Sequence, residues 1–244
     1  MLILLPPSEG KATPAEGDPV ALDSLAFAAE LGERRAALLD ALEALAGLPT
    51  ERAVAALGVS ARQAGEVAVD AALRGAPAAP AAEVYTGVLY DRLRLPELPA
   101  AAGDRVLIAS ALWGVVRPGD RIPYYRFAAK ARLDGIGAPA AWWRPALREA
   151  LPDRPGELVV DMRSAAYAAA WKPREATALA VRAFTEEGES RKVVSHMAKA
   201  VRGEVARALL EAPEPPADPE AAAELATAAG FRVELGDDAL DVIV

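Results

Sequence analysis

The amino-acid sequence predicts a mixed α/β domain, a central sheet of mixed strand direction flanked by helices, and three observations predict it. Aliphatic runs of strand length recur at Leu2–Leu5, Val106–Ser110 and Glu157–Met162, each giving way to turn or helix residues. Between them lie longer stretches whose leucines recur at helical spacing. No internal repeat divides the chain, and strands alternating with helices argue for layered α/β packing. At 244 residues the chain is long enough for a sizeable core, and one domain over residues 1–244 is expected.

The elements follow in order. Leu2-Ile3-Leu4-Leu5 is a strand buried on both faces, stopped by Pro6 and Pro7. It is not read as a signal peptide, because no basic segment precedes it and Ser8-Glu9-Gly10-Lys11 follows at once. Ser8 to Asp18 forms a loop leaving that strand, a common position for a binding site. Over residues 22–46, Leu25, Leu31, Leu38, Leu39, Leu42 and Leu45 predict a helix, with Gly47 and Pro49 as its stop. Residues 50–75 predict shorter helices, with Ser60 placed to cap the stretch 61–73. Gly75 to Pro80 is a connector.

Glu83 to Val88 reads as a short strand or strand end. Val106 to Ser110 is a buried strand entering the turn-rich segment Ala111 to Asp120. A helix is expected over Trp142 to Glu149, a strand over Glu157 to Met162 and a helix over Ser164 to Trp171. Further strands are expected at 178–184 and 192–195. His196 to Glu211 is a helix carrying Lys199, Arg202 and Arg207, and 212–219 is a proline-rich acidic loop. A helix over 221–229 stops at Gly230, and two β-like pieces flank Gly236-Asp237-Asp238.

Composition removes whole classes of chemistry. With no cysteine there are no disulfides, thiolate metal sites or cysteine nucleophiles. The single histidine, His196, tells against an imidazole-built zinc or haem site, although oxygen ligands for a metal are plentiful. No metal or cofactor is expected. No apolar stretch reaches the roughly 20 residues that span a bilayer, so a cytoplasmic protein without a membrane partner is expected. The formal charge of −8 opposes non-specific binding to phosphate backbones while leaving room for a local basic face.

Four segments together resemble one known family. They are LLPPSEGK (4–11), EVYTGV (83–88), SALWGVVRPGDRIPYYRF (110–127), and the pair LVVDMRSAAYAAAWKP (158–173) with KVVSHMAKAVRGEVAR (192–207). They occur in the family's order and span residues 1 to about 210, and the chain resembles the peroxide stress protein YaaA family. That resemblance implies a mixed α/β fold and a part in lowering free iron or oxidative DNA damage under peroxide. It also implies binding to double-stranded DNA through a helix-hairpin-helix-like element. The chain departs from the family pattern in its opening loop, Pro7-Ser8-Glu9-Gly10-Lys11, which shifts the place of Lys11, at Asp161-Met162-Arg163, at His196-Met197 and in its short acidic tail.

Candidate residues carry two readings each. Arg117, Tyr125 and Arg126 flank a proline-stiffened turn, where two guanidinium forks suit an anion; alternatively each pairs with a surface acid such as Asp120. Ser8 with Lys11, Ser110, and Ser164 with Tyr167 follow three different strands and can converge at one sheet edge for acid–base work; singly, they cap or pack. The full candidate pocket is Ser8, Lys11, Tyr85, Thr86, Ser110, Trp113, Arg117, Tyr125, Arg126, Ser164, Tyr167, Lys172 and His196. His196 is also readable as a satisfied core residue, and the tryptophans as packing.

For DNA, the candidates are Arg132, Gly135, Gly137, Arg144, Lys192, Lys199 and Arg202. Gly135-Ile136-Gly137 suits a hairpin that aims backbone N–H groups at a phosphate, though Pro139 removes one donor and Gly-Ile-Gly is also an ordinary turn. Lys199 and Arg202 share a helical face, which is a polyanion surface or a solvated strip. The function that the family resemblance implies is a peroxide stress response that limits free-iron-driven oxidative damage to DNA, with binding of double-stranded DNA. The alternative is an enzyme for a small anionic or nucleoside-like substrate at the strand ends. A monomer is expected.

Overall fold

The computed structural model describes the backbone of residues 1–187, 190–193 and 195–244, and the side chains of residues 1–186 and 198–244. The first half of the chain runs β1 (Leu2–Leu5), α1 (Ala28–Leu45), α2 (Thr50–Leu57), α3 (Gly65–Ala71), β2 (Ala78–Pro80), α4 (Ala81–Val84), α5 (Val88–Leu93), α6 (Ala100–Gly103), β3 (Val106–Ser110), β4 (Gly114–Val116) and β5 (Arg121–Pro123). The second half runs α7 (Pro139–Ala150), β6 (Leu158–Asp161), α8 (Ala165–Ala168), β7 (Thr177–Glu187), β8 (Ser190–Val193), α9 (Ser195–Glu211), α10 (Pro219–Ala228), β9 (Arg232–Leu235) and β10 (Ala239–Ile243).

Among the described residues, eight strands share the main sheet, in the order β4-β3-β1-β6-β7-β10-β9, with β8 paired to the far half of β7. The inner strands β3, β1, β6, β7 and β10 are parallel, while β4, β8 and β9 join antiparallel. The predicted mixed α/β class is therefore the observed one. β1 lies between β3 and β6 and is buried throughout, as an all-aliphatic strand covered on both faces must be. From β1 the chain moves to β3 on one side, and from β6 it moves to β7 on the other. The carboxyl ends of β1, β3 and β6 thus meet at a switch point on one sheet edge, where open α/β sheets hold ligands.

Three expectations are corrected. The helix predicted over 22–46 begins only at Ala28 because Phe27 is left-handed (φ 58°). Tertiary bonds hold the chain out of the helix there: Asp120 Oδ2 accepts from the Ala26 N–H, and Arg35 Nη2 donates to the Ala26 carbonyl. Glu83 to Val88 is not a strand. Ala81 and Ala82 donate to the carbonyls of Asp120 and Pro118, which seeds α4, and only Tyr85 makes a β-bridge, to Lys11. The stretch after Ser60 is broken: Ser60 and Gln63 form a capping box on a short 3₁₀ turn, and α3 follows.

The core is aliphatic, as the low aromatic content requires, with Trp113, Trp143, Tyr85 and Tyr125 as its largest fully buried rings. One buried cation braces it. Arg35, fully inaccessible on α1, donates to the carbonyls of Trp113 and Val115 as well as Ala26, so it pins the segment around β4 to the first helix. Burial pulls its guanidinium down to about 10.

Candidate functional site

Lys11 is the centre of the strand-end cluster. Its loop leaves β1 and is tied down by backbone bonds from Ala12 to Val84 and from Thr86 to Gly10, with Thr86 N–H also donating to Ser8 Oγ. The Lys11 ammonium donates to the Ser8 carbonyl at 2.9 Å and lies 4.4 Å from the Tyr125 ring centroid and 5.7 Å from that of Tyr85. Ring faces hold a cation that has lost much of its water. Burial nevertheless lowers its pKa to about 8, Arg126 adding to the fall while Asp70, Glu9 and Glu66 oppose it.

Asp70 faces this cation from α3. It is 1% exposed, its Oδ1 accepts from the Arg126 backbone N–H at 2.8 Å, and its Oδ2 has no hydrogen-bond partner among the described residues. Burial raises its pKa to about 7, against the pull of that N–H. An ammonium near 8 and a carboxyl near 7 are both poised to exchange protons at neutral pH, the condition for general acid–base work. Arg126 is half-buried and donates one guanidinium nitrogen to the Glu9 carbonyl at 2.5 Å; the remaining donors of a guanidinium suit an anion. Glu66 accepts from the Tyr124 hydroxyl, closing the same side.

Beneath the cation runs a hydroxyl chain. Ser110 Oγ accepts from the N–H groups of Leu112 and Trp113, which leaves its own hydrogen to donate to Tyr125 Oη at 2.8 Å. The Tyr125 hydroxyl then donates to Tyr85 Oη at 2.7 Å. Burial raises both phenols well out of the titrating range, so they remain neutral donors. Trp113 packs edge-on against Tyr125, and its indole N–H has no hydrogen-bond partner among the described residues. Tyr167, pushed up to about 12 chiefly by burial, reaches this neighbourhood from α8, and Ser164 stands exposed at the end of β6.

The comparisons with known proteins bear on the whole fold. The family model described as peroxide stress protein YaaA matches residues 1–234. The chain belongs to the peroxide stress protein YaaA family. A UPF0246 protein of Streptomyces coelicolor is 45% identical over 240 residues, covering 96% of this chain and 92% of that one. A UPF0246 protein of Corynebacterium efficiens is 39% identical, covering 97% and 96%. One from Corynebacterium glutamicum is 37% identical, covering 96% and 95%. Family membership supports a role in the peroxide stress response.

In this YaaA family member, the cluster unites Ser8, Lys11, Tyr85, Thr86, Ser110, Trp113, Tyr125, Arg126 and Tyr167. Three described candidates lie outside it: Ser164 is exposed just ahead of α8, and Arg117 and Lys172 go elsewhere. Arg117 donates to the Asp104 carbonyl and faces the Phe27 ring, on a separate cleft of about 420 Å³ that Pro80, Pro99 and Pro118 help to line. Asp120 meets Arg117 through its backbone, accepting from the Arg117 N–H rather than from the guanidinium. Lys172 lines another cavity, with Arg144. The side chains of Lys192 and His196 lie outside the described residues. The sequence reading missed Asp70, Glu66 and Glu9.

The DNA candidates are scattered. Gly135 and Gly137 are exposed with φ near 75°, and Leu133 bridges Gly137 to close the hairpin ahead of α7; no helix occupies residues 124–132. Arg132 donates to the Ala131 carbonyl and Arg144 to that of Ala169. On α9, Arg202 turns inward to the Val181 carbonyl, burial lowering its pKa, and Arg207 pairs with Glu97 and Glu211; Lys199 is exposed. Among the described residues no group of acids is placed to hold a metal ion, and no helix is long and apolar enough to cross a membrane.

Proposed function

We propose that the protein serves the peroxide stress response through the strand-end site, which binds a small anionic or nucleoside-like molecule and performs acid–base chemistry on it. The observation that carries this reading is the Lys11 ammonium held on the Tyr125 ring beside the buried, half-satisfied carboxyl of Asp70. Arg126 supplies the anion fork, the Tyr85–Tyr125–Ser110 chain supplies neutral donors, and Lys11 with Asp70 supplies the proton donor and acceptor. A thermal-shift screen of nucleosides, nucleotides and small carboxylates tests it. A ligand that raises the wild-type melting temperature is expected to lose its effect in both Lys11→Met and Asp70→Asn. A shift retained in both variants, or no shift from any member of the screen, would overturn the reading.

A second reading keeps the protection at the DNA itself, limiting iron-driven damage by covering the duplex. The exposed Gly135–Gly137 hairpin, opening directly onto α7, favours it, since such a turn can offer backbone N–H groups to a phosphate. Anisotropy of labelled duplex across a salt series separates the two. Salt-sensitive binding that weakens in Lys199→Ala but not in Lys11→Met supports DNA; no binding at low salt removes it.

A further inference from the structure

A second cavity, apart from the Lys11 site, gathers positive charge from two separate elements. Arg144 and Arg148 stand one turn apart on α7 and project from the same face. Opposite them, the segment that follows α8 contributes Lys172 and Arg174, and the buried ring of Trp171 forms part of the wall. The space they enclose is about 250 Å³.

The acid present offsets these cations only in part. Asp153 is the one carboxylate among the lining residues, and its oxygens are occupied by the backbone N–H groups of Arg174, Glu175 and Ala176 at 2.8–3.0 Å. Its work is to fold the 174–176 turn toward the cavity. Arg144 is steadied by the Ala169 carbonyl. Arg148 and Lys172 make no side-chain hydrogen bond or ion pair among the described residues, while the charge of Arg174 also acts on Asp153. In a chain of formal charge −8, four cations against one engaged carboxylate invert the local field.

We propose that this cavity is a binding site for a diphosphate group, either free pyrophosphate or the diphosphate of a nucleotide. Arginine forks take two oxygens each, and lysine acts as a point charge on a third. A single carboxylate would leave most of these donors unused. The volume lies below the roughly 300–1,000 Å³ of sites that enclose a whole drug-sized ligand, so a nucleotide would seat its phosphates here and carry its base outside. A concave site of this size does not admit the rod of a duplex.

Isothermal titration with sodium pyrophosphate and with ADP, at low and at moderate salt, tests the proposal. Binding is expected in the wild type and is weakened about tenfold or more in Arg148→Ala/Lys172→Ala and in Arg174→Ala. These exposed side chains can be removed without emptying the core, and circular dichroism checks that each variant is folded. Tighter binding of ADP than of pyrophosphate identifies the nucleotide as the source; the reverse identifies the free ion. Hydrogen exchange locates the contact independently, with slower exchange expected over residues 168–176 when pyrophosphate is added. No binding at low salt, equal binding in the variants, or binding confined to labelled duplex overturns the proposal.

Discussion

Asp70 is a carboxyl that the fold makes difficult to ionise. Its folded pKa of about 7 exceeds the ordinary 3.8, so between those values the folded chain retains a proton that the unfolded chain has released. Stability therefore falls as pH rises through that window and levels off above it. Lys11 acts in the opposite sense. Its folded pKa of about 8 lies below 10.5, so its cost is present below pH 8 and disappears between about 8 and 10.5. Asp70→Asn keeps an acceptor for the Arg126 N–H and cannot ionise. Its melting temperature is expected to match the wild type near pH 4 and to exceed it near pH 8, by on the order of 2–4 kcal/mol in stability. Parallel melting curves at both pH values would show that Asp70 is already ionised at little cost. The sequence carried half of this site. Lys11, Tyr125 and Arg126 stand out because charged and hydroxyl residues follow strands and prolines. Asp70 lies three residues after Val67 on the buried side of α3, which marks it as an acid out of place. Its meaning depends on Arg126, which meets it only after the chain has folded.

Helices α5 and α9 pack so closely that one position tolerates no side chain. A Cβ on Gly203 would lie 2.2 Å from the Leu89 carbonyl oxygen, a contact with backbone that no rotamer change relieves. Gly203→Ala is expected to lower stability by about 3 kcal/mol despite the better helix propensity of alanine, read as a shifted urea midpoint with little change in slope. An unchanged midpoint would mean that the two helices can separate freely. Elements were legible where local rules act alone. The buried strands β1, β3 and β6 are aliphatic runs with clear stops, and they lie where periodicity places them. The start of α1 and the identity of residues 83–88 were not legible, because bonds from Asp120 and Arg35 decide them. α7 begins three residues earlier than its tryptophans suggest, since Pro139 is well suited to the first turn of a helix.

At the scale of the whole molecule, charge and sheet order explain what the sequence conceals. A formal charge of −8 describes the average surface, and the basic cavity escapes that average because its cations come from residues 144–148 and 172–174, joined only by the fold. The acidic C-terminal stretch is likewise more than a tail. β10 lies between β7 and β9, parallel to β7 from Ala239 opposite Ala180 to Ile243 opposite Phe184, and four of its five residues are buried. A chain ending at Gly230 would leave that length of β7 as an open, apolar edge, with unpaired N–H and C=O groups ready to join another chain. It would also empty the space that Leu240 and Val242 fill beside Val181 in the core. The truncated chain is therefore expected to aggregate on expression, or to lose the cooperative melting transition of the full chain. Size-exclusion chromatography with near-ultraviolet circular dichroism measures both. A soluble truncated protein with the wild-type melting temperature would mean that the sheet is complete at β7, and that β9 and β10 add surface rather than core.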